Sequence, residues 1–211
     1  MIALNRRRYM GASGGGGLPY DAEVEYLSFP GTSGKFILTN VIPTSYNYKF
    51  YVKARSDAGN RFILSMNVQY GVLNINYYPQ AVYPRFFGNN QTNYSVTQDI
   101  HEIEMSADGL WIDGEKKGNV NTPSAPNIAN NTAVVCLGGR PTTAVNPTAA
   151  DYIFQGQVQA FKIWETNSNT LLVDWKAVRV GTAGYMYDNI TGQMLTAYDG
   201  TTFNVGSDKT T

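Results

Sequence analysis

The chain has 211 residues, of which 15% are charged and 13% aromatic, and its formal net charge is zero. That length fits one β-sandwich or barrel as a single domain, and the charge balance excludes a nucleic-acid surface over the whole domain, which needs a clustered basic excess. With 15 Tyr and 21 Gly, the composition suits short strands and tight turns, whereas surface helices lean on Glu, Lys and Ala.

Residues 1–18 stand apart. Arg6-Arg7-Arg8-Tyr9 precedes Gly14-Gly15-Gly16-Gly17, and such a segment buries too little apolar surface to offset its ordering entropy. It reads as a basic, Gly-rich arm, and residues 19–211 as the folded domain. From Tyr20 onward the period is two. Tyr48, Phe50, Val52 and Ala54 alternate with Lys49, Tyr51, Lys53 and Arg55, which gives one buried and one wet face. Phe62, Leu64, Met66, Val68 and Tyr70 alternate with Ile63, Ser65, Asn67 and Gln69. After Gly71, Leu73, Ile75 and Tyr77 begin the second strand of a hairpin. Ile103 and Met105 alternate with Glu102 and Glu104, and Asp108-Gly109 signals a tight turn into Leu110–Asp113. Loops follow over 119–131 and 138–150. Strands resume at 152–165 and 171–180. In the first, Val158 and Ala160 fall on the opposite face from Phe161 and Ile163, which predicts a β-bulge near Ala160. Cys136 is the single cysteine, so no intrachain disulfide forms, and its setting in Ala133–Leu137 predicts a buried core residue.

Three segments carry a family resemblance. His101–Gly114 resembles the strand–turn–strand hairpin of laminin-G-like and concanavalin-A-like domains. Gly156–Trp164 resembles a late strand of the same family. Leu172–Trp175, Gly184-Tyr185-Met186-Tyr187-Asp188 and Thr191-Gly192 are similar to the C-terminal part of such proteins from gut Bacteroidales and their phages, and Leu18–Leu27 resembles the start of that group. The resemblance implies an all-β, two-sheet antiparallel β-sandwich of the concanavalin A-like jelly-roll type. It implies no single activity, because this scaffold hosts lectins, glycosidases and structural modules.

Several motifs compete for a functional role. Tyr77, Tyr78, Tyr83, Phe86, Phe87, Asn89, Asn90 and Tyr94 form the densest cluster of aromatic and amide groups. Rings stack on sugar faces while amides hydrogen-bond hydroxyls, so Tyr77, Tyr78, Tyr83, Asn90 and Tyr94 are glycan-binding candidates, against a competing role in the core. Glu102 and Glu104 share a strand face, but Asp99–Glu104 lacks the E-x-D-x-x-E spacing of glycosidases on this scaffold. Asp57 with Asn60, and Asp188 with Asn189, could contribute to a calcium site, yet turn formation explains both. Gly31-Thr32-Ser33-Gly34-Lys35 lacks the spacing of a phosphate loop and reads as a turn.

The expected function is that of a non-enzymatic structural virion protein (capsid-decorating, head-fibre or tail-associated). In that reading Arg6, Arg7, Arg8 and Tyr9 anchor it to other virion proteins, it forms a homo-oligomer, and it needs no cofactor. The alternative is an adhesin module recognising host-surface glycans, and a glycoside hydrolase is the remote alternative. No apolar run reaches membrane-spanning length and no signal-peptide core is visible, so synthesis in a host cytoplasm is expected.

Overall fold

A computed structural model describes residues 17–59, 61–66, 73–87, 92–119, 128–143 and 147–210. The arm residues Arg6, Arg7, Arg8 and Tyr9, and the loop residues Asn60, Asn89 and Asn90, lie outside the described residues.

Two antiparallel sheets form the expected sandwich. The larger runs, edge to edge, through Glu115–Gly118, Gly109–Ile112, His101–Ser106, Tyr48–Ser56, Gln155–Glu165, Thr170–Val180, Ala183–Asp188 and Gln193–Leu195. Leu27–Pro30 pairs with the start of Gln155–Glu165, and Asn204–Val205 pairs with Leu27–Pro30. The smaller sheet runs through Ile37–Leu38, Cys136–Leu137, Arg61–Ser65, Leu73–Tyr78, Ala81–Phe86 and Tyr94–Ser95. A 3-10 turn at Ile128–Asn130 is the one helical element among the described residues.

Period-two alternation builds the core between the sheets. Phe50, Val52, Phe161, Ile163 and Trp175 from the larger sheet join one cluster with Leu64, Leu73, Ile75, Tyr77, Val82 and Phe86 from the smaller. Tyr77 ties the two layers: its hydroxyl donates to Ala54 O at 3.3 Å, and Ser56 Oγ donates to Tyr77 O at 3.0 Å. Burial pushes the Tyr77 phenol well above its ordinary value. Asn131, also buried, locks the approach to Cys136–Leu137 by donating to Pro43 O at 2.8 Å and accepting from Ala133 N at 2.9 Å.

The bulge expected near Ala160 is present, with the register against Tyr48–Ser56 shifting between Val158 and Ala160. A second bulge corrects the expected alternation of the first hairpin. Between Phe62 and Leu64 the register slips by one, so Phe62 lies beside Asn76 while Leu64 lies beside Ile75. Ile63 and Leu64 therefore both face the core, and Phe62 is turned to the outer face of the smaller sheet. Cys136 is fully buried in a satellite cluster with Phe36, Ala150 and Ile153, and burial pushes its thiol well up.

Candidate functional site

Each sheet has one face against the core and one facing away from it, and the two outer faces differ in chemistry. On the larger sheet the outward residues of neighbouring strands fall into ladders of opposite charge. Glu102 lies beside Lys53 and accepts from Lys53 Nζ at 2.8 Å, while Lys49 Nζ lies 3.4 Å from Glu104. Lys162 pairs with Asp174 at 3.1 Å, and Lys176 pairs with Glu23. Three cations also cap rings: Lys49 over Trp164 at 4.4 Å, Lys116 over Trp111 at 5.4 Å and Lys176 over Tyr20 at 5.2 Å. Tyr51 is wedged between Glu102 and Glu104, and burial first, then those carboxylates, raise its phenol. The two glutamates are thus engaged as ion-pair partners within a structural ladder.

At one end of this sheet, Asp113 stitches the hairpin. Its carboxylate accepts from Glu102 N at 2.9 Å and lies 2.6 Å from His101 Nδ1. Burial alone would raise the Asp113 pKa, but the bonds from His101 and from Glu102 N–H outweigh it and hold the carboxyl below its ordinary value. The lone histidine is nearly buried and serves this turn.

The smaller sheet carries a different outer face. Along Leu73–Tyr78 the outward residues are Asn74, Asn76 and Tyr78, because Leu73, Ile75 and Tyr77 enter the core. Along Ala81–Phe86 they are Ala81, Tyr83 and Arg85. Register places Asn74 opposite Arg85, Asn76 opposite Tyr83 and Tyr78 opposite Ala81. Tyr78 and Tyr83 are diagonal neighbours whose rings meet at 4.9 Å, tilted by 53°. Asn93 Nδ2 donates to the Tyr83 hydroxyl at 3.0 Å.

The loop following Arg140–Pro141 returns through Ala150–Asp151 and extends this face on the Phe62 side. Arg140 grips Asp151 through two bonds, at 2.8 Å and 2.6 Å. Its guanidinium also lies 4.6 Å from the centre of the Tyr152 ring and 5.8 Å from that of Phe62. Tyr152 meets Phe62 edge-on at 5.2 Å and is one of the few large apolar side chains left exposed, at 39%. Its φ of 47° is unusual for a bulky residue. The left-handed turn is held by Tyr152 O accepting from Phe62 N at 3.1 Å.

The sequence candidates separate on this geometry. Tyr78 and Tyr83 come together on the outer face. Tyr77 does not join them: it is fully buried between the sheets, one residue out of phase with Tyr78, and its ring is not presented to a ligand. Tyr94 lies across from Val82 at the edge of the sheet, with its ring packed partly on the core. Asn74, Asn76, Arg85, Arg140 and Tyr152 were not singled out from the sequence. The only local signal for the first two was Asn alternating with Leu and Ile in Leu73–Tyr77, and the bulge and loop that add Phe62 and Tyr152 leave no periodic trace.

The remaining motifs are explained by turns. Lys35 donates to Thr202 O at 3.1 Å, and Lys35 N donates to Thr32 O at 3.2 Å, so Gly31–Lys35 closes on itself and on the turn before Phe203. Asp57 accepts from Arg55 Nε at 2.9 Å, and Asp188 accepts from Ile190 N and Thr191 Oγ1. Among the described residues, no group of three or more His, Cys, Asp or Glu is placed to hold a metal ion.

Neither a protein-family model nor a curated protein matches the chain. Among solved structures, a Bacteroides ovatus protein provisionally described as carbohydrate-binding is similar over 88% of this chain, with a TM-score of 0.53 and 12% identity. This chain spans 60% of that protein's length. A heptameric SAP-like pentraxin from Limulus polyphemus is similar over 68% of this chain and 76% of its own, at a TM-score of 0.47 and 14% identity. The first likeness agrees with the strand order in giving a jelly-roll β-sandwich.

Proposed function

We propose that the protein is a non-enzymatic carbohydrate-binding module whose sugar site is the outer face of the smaller sheet. The observation that carries this reading is the Tyr78–Tyr83 pair, tilted together beside Asn76 and Asn93. Aromatic faces supply flat apolar area for the C–H side of a pyranose, and amides supply paired donors and acceptors for its hydroxyls. The second aromatic group, Phe62 with Tyr152 under the Arg140 guanidinium, continues the same face. The jelly-roll likeness to the Bacteroides ovatus protein supports the scaffold for such a site.

A glycan array probed with the wild type, Tyr78→Ala and Tyr83→Ala tests the reading. Binding to a defined set of glycans, lost in both variants while their melting temperatures stay within a few degrees, is expected. No binding to any glycan, or binding untouched by both changes, overturns it. Display of this module on a virion through Arg6, Arg7 and Arg8 is a separate proposal about location that rests on the sequence of the arm. Its check is mass spectrometry of purified particles for this chain.

A further inference from the structure

We infer that the sugar held on this face carries a carboxylate, with Arg85 as its counter-ion and Asn74 as a hydroxyl acceptor beside it. The inference rests on the proposal that this face binds glycans, and it adds the class of glycan.

Two observations point to it. The first is Arg85. It stands half-buried on the outer face, two residues along the strand from Tyr83, so the two side chains leave the strand on the same face about 7 Å apart. Among the described residues it has neither an ion-pair nor a hydrogen-bond partner. The contrast with Arg140 is direct, because Arg140 is neutralised by Asp151 in a two-bond grip. Two further arginines meet carboxylates near the surface, Arg55 with Asp57 and Arg179 with Asp208. A guanidinium offers a planar fork that matches a carboxylate, and it holds its charge at any working pH.

The second is Asn74, directly opposite Arg85. Asn74 is 3% exposed and its Oδ1, closed off from solvent in this conformation, has no hydrogen-bond partner, so a ligand hydroxyl reaches it once the amide swings outward to another rotamer. A buried acceptor left unpaired is destabilising, and each such group needs an explanation. Ser65, its neighbour on the other side, cannot supply the proton, because the Ser65 hydroxyl is donated to Gly139 O at 2.7 Å. Trp175 Nε1 is also unpaired, but it lies inside the sandwich core. Asn74 belongs to the row that faces away from the core, next to an uncompensated cation and one step from the aromatic pair. Carboxylate, hydroxyl and an apolar ring face, at the spacing of a cross-strand pair and one strand step, describe a uronic or sialic acid residue.

An array of uronic-acid- and sialic-acid-bearing oligosaccharides, printed beside their neutral counterparts, distinguishes the possibilities. Acidic members are expected to bind, with at least a tenfold loss in Arg85→Ala, partial recovery in Arg85→Lys, and weakening as salt rises. Asn74→Leu is expected to weaken binding several-fold while raising the melting temperature, since it removes an unpaired buried acceptor. Binding to neutral glycans that Arg85→Ala leaves unchanged overturns the acidic class and leaves the glycan-binding proposal standing. Acidic binding indifferent to Arg85→Ala also overturns it. Silence across both sets overturns both proposals together.

Discussion

The two sheets share one core but present opposite surfaces to their surroundings. The larger sheet neutralises itself: Lys53 meets Glu102, Lys49 meets Glu104, and Lys162 meets Asp174 across neighbouring strands. Among the described residues, the smaller sheet leaves Arg85 uncompensated, Asn74 Oδ1 unpaired and Tyr152 exposed in a left-handed turn. A face whose groups satisfy one another has little left to offer a ligand. A face that keeps unpaired groups holds interaction energy that only a partner releases, and local strain tends to gather in such places.

This contrast can be broken or sharpened by substitution, and the largest effect belongs to the frame beneath both faces. Gly156 lies where Gln155–Glu165 pairs with Tyr48–Ser56 on one side and Leu27–Pro30 on the other. A Cβ there would come within 2.1 Å of Arg55 O, a backbone atom that cannot step aside. Gly156→Ala should cost about 3 kcal/mol or more, read by denaturant unfolding, and should disable both faces together. Next comes Tyr83→Ala, which should lower glycan affinity at least tenfold, about 1.4 kcal/mol, by calorimetry, with a small change in stability.

Tyr152→Gly sharpens the comparison further. It relieves a positive φ worth about 1 kcal/mol while deleting the edge contact to Phe62 and the ring under Arg140. Stability should stay nearly level in thermal melts while binding falls, as expected where strain serves a surface and not the core. On the larger sheet, Asp113 is held below its ordinary value, so its contribution is present above about pH 4 and lost as pH falls through the folded value. Asp113→Asn should therefore flatten the decline of melting temperature below about pH 4 and leave glycan binding alone. The smallest effect is that of Lys53→Ala, which opens a partly exposed ion pair and should cost under about 1 kcal/mol with no change in binding.

The fold was legible where alternation is regular. Tyr48–Ser56 buries Tyr48, Phe50, Val52 and Ala54 as its pattern predicts. The mismatch between Val158 and Phe161 correctly announced a bulge, because it broke a pattern that was otherwise clear. The bulge at Ile63 was invisible for the opposite reason: Phe62, Ile63 and Leu64 are all apolar, so either phase looks buried. The site was legible only in part. A dense run of tyrosines drew attention to the right hairpin, but parity sends Tyr77 inward and Tyr78 outward, and composition alone does not weigh parity. Arg140 and Tyr152 reach the same face from about 60 and 75 residues beyond Tyr78 in sequence, through one short loop strand and a single left-handed residue. Nothing in the local pattern marks a contact of that kind.

The location of the site can be read directly by titrating the isotope-labelled protein with its best-bound oligosaccharide and following side-chain N–H resonances. Trp111 and Trp164 report on the outer face of the larger sheet, and Asn74, Asn76 and Asn93 on that of the smaller. The amide resonances of the three asparagines should shift in proportion to occupancy while both outer-face indoles stay still. Shifts confined to the Trp111 and Trp164 indoles, with the asparagines unmoved, would contradict the assignment of the smaller sheet as the binding face.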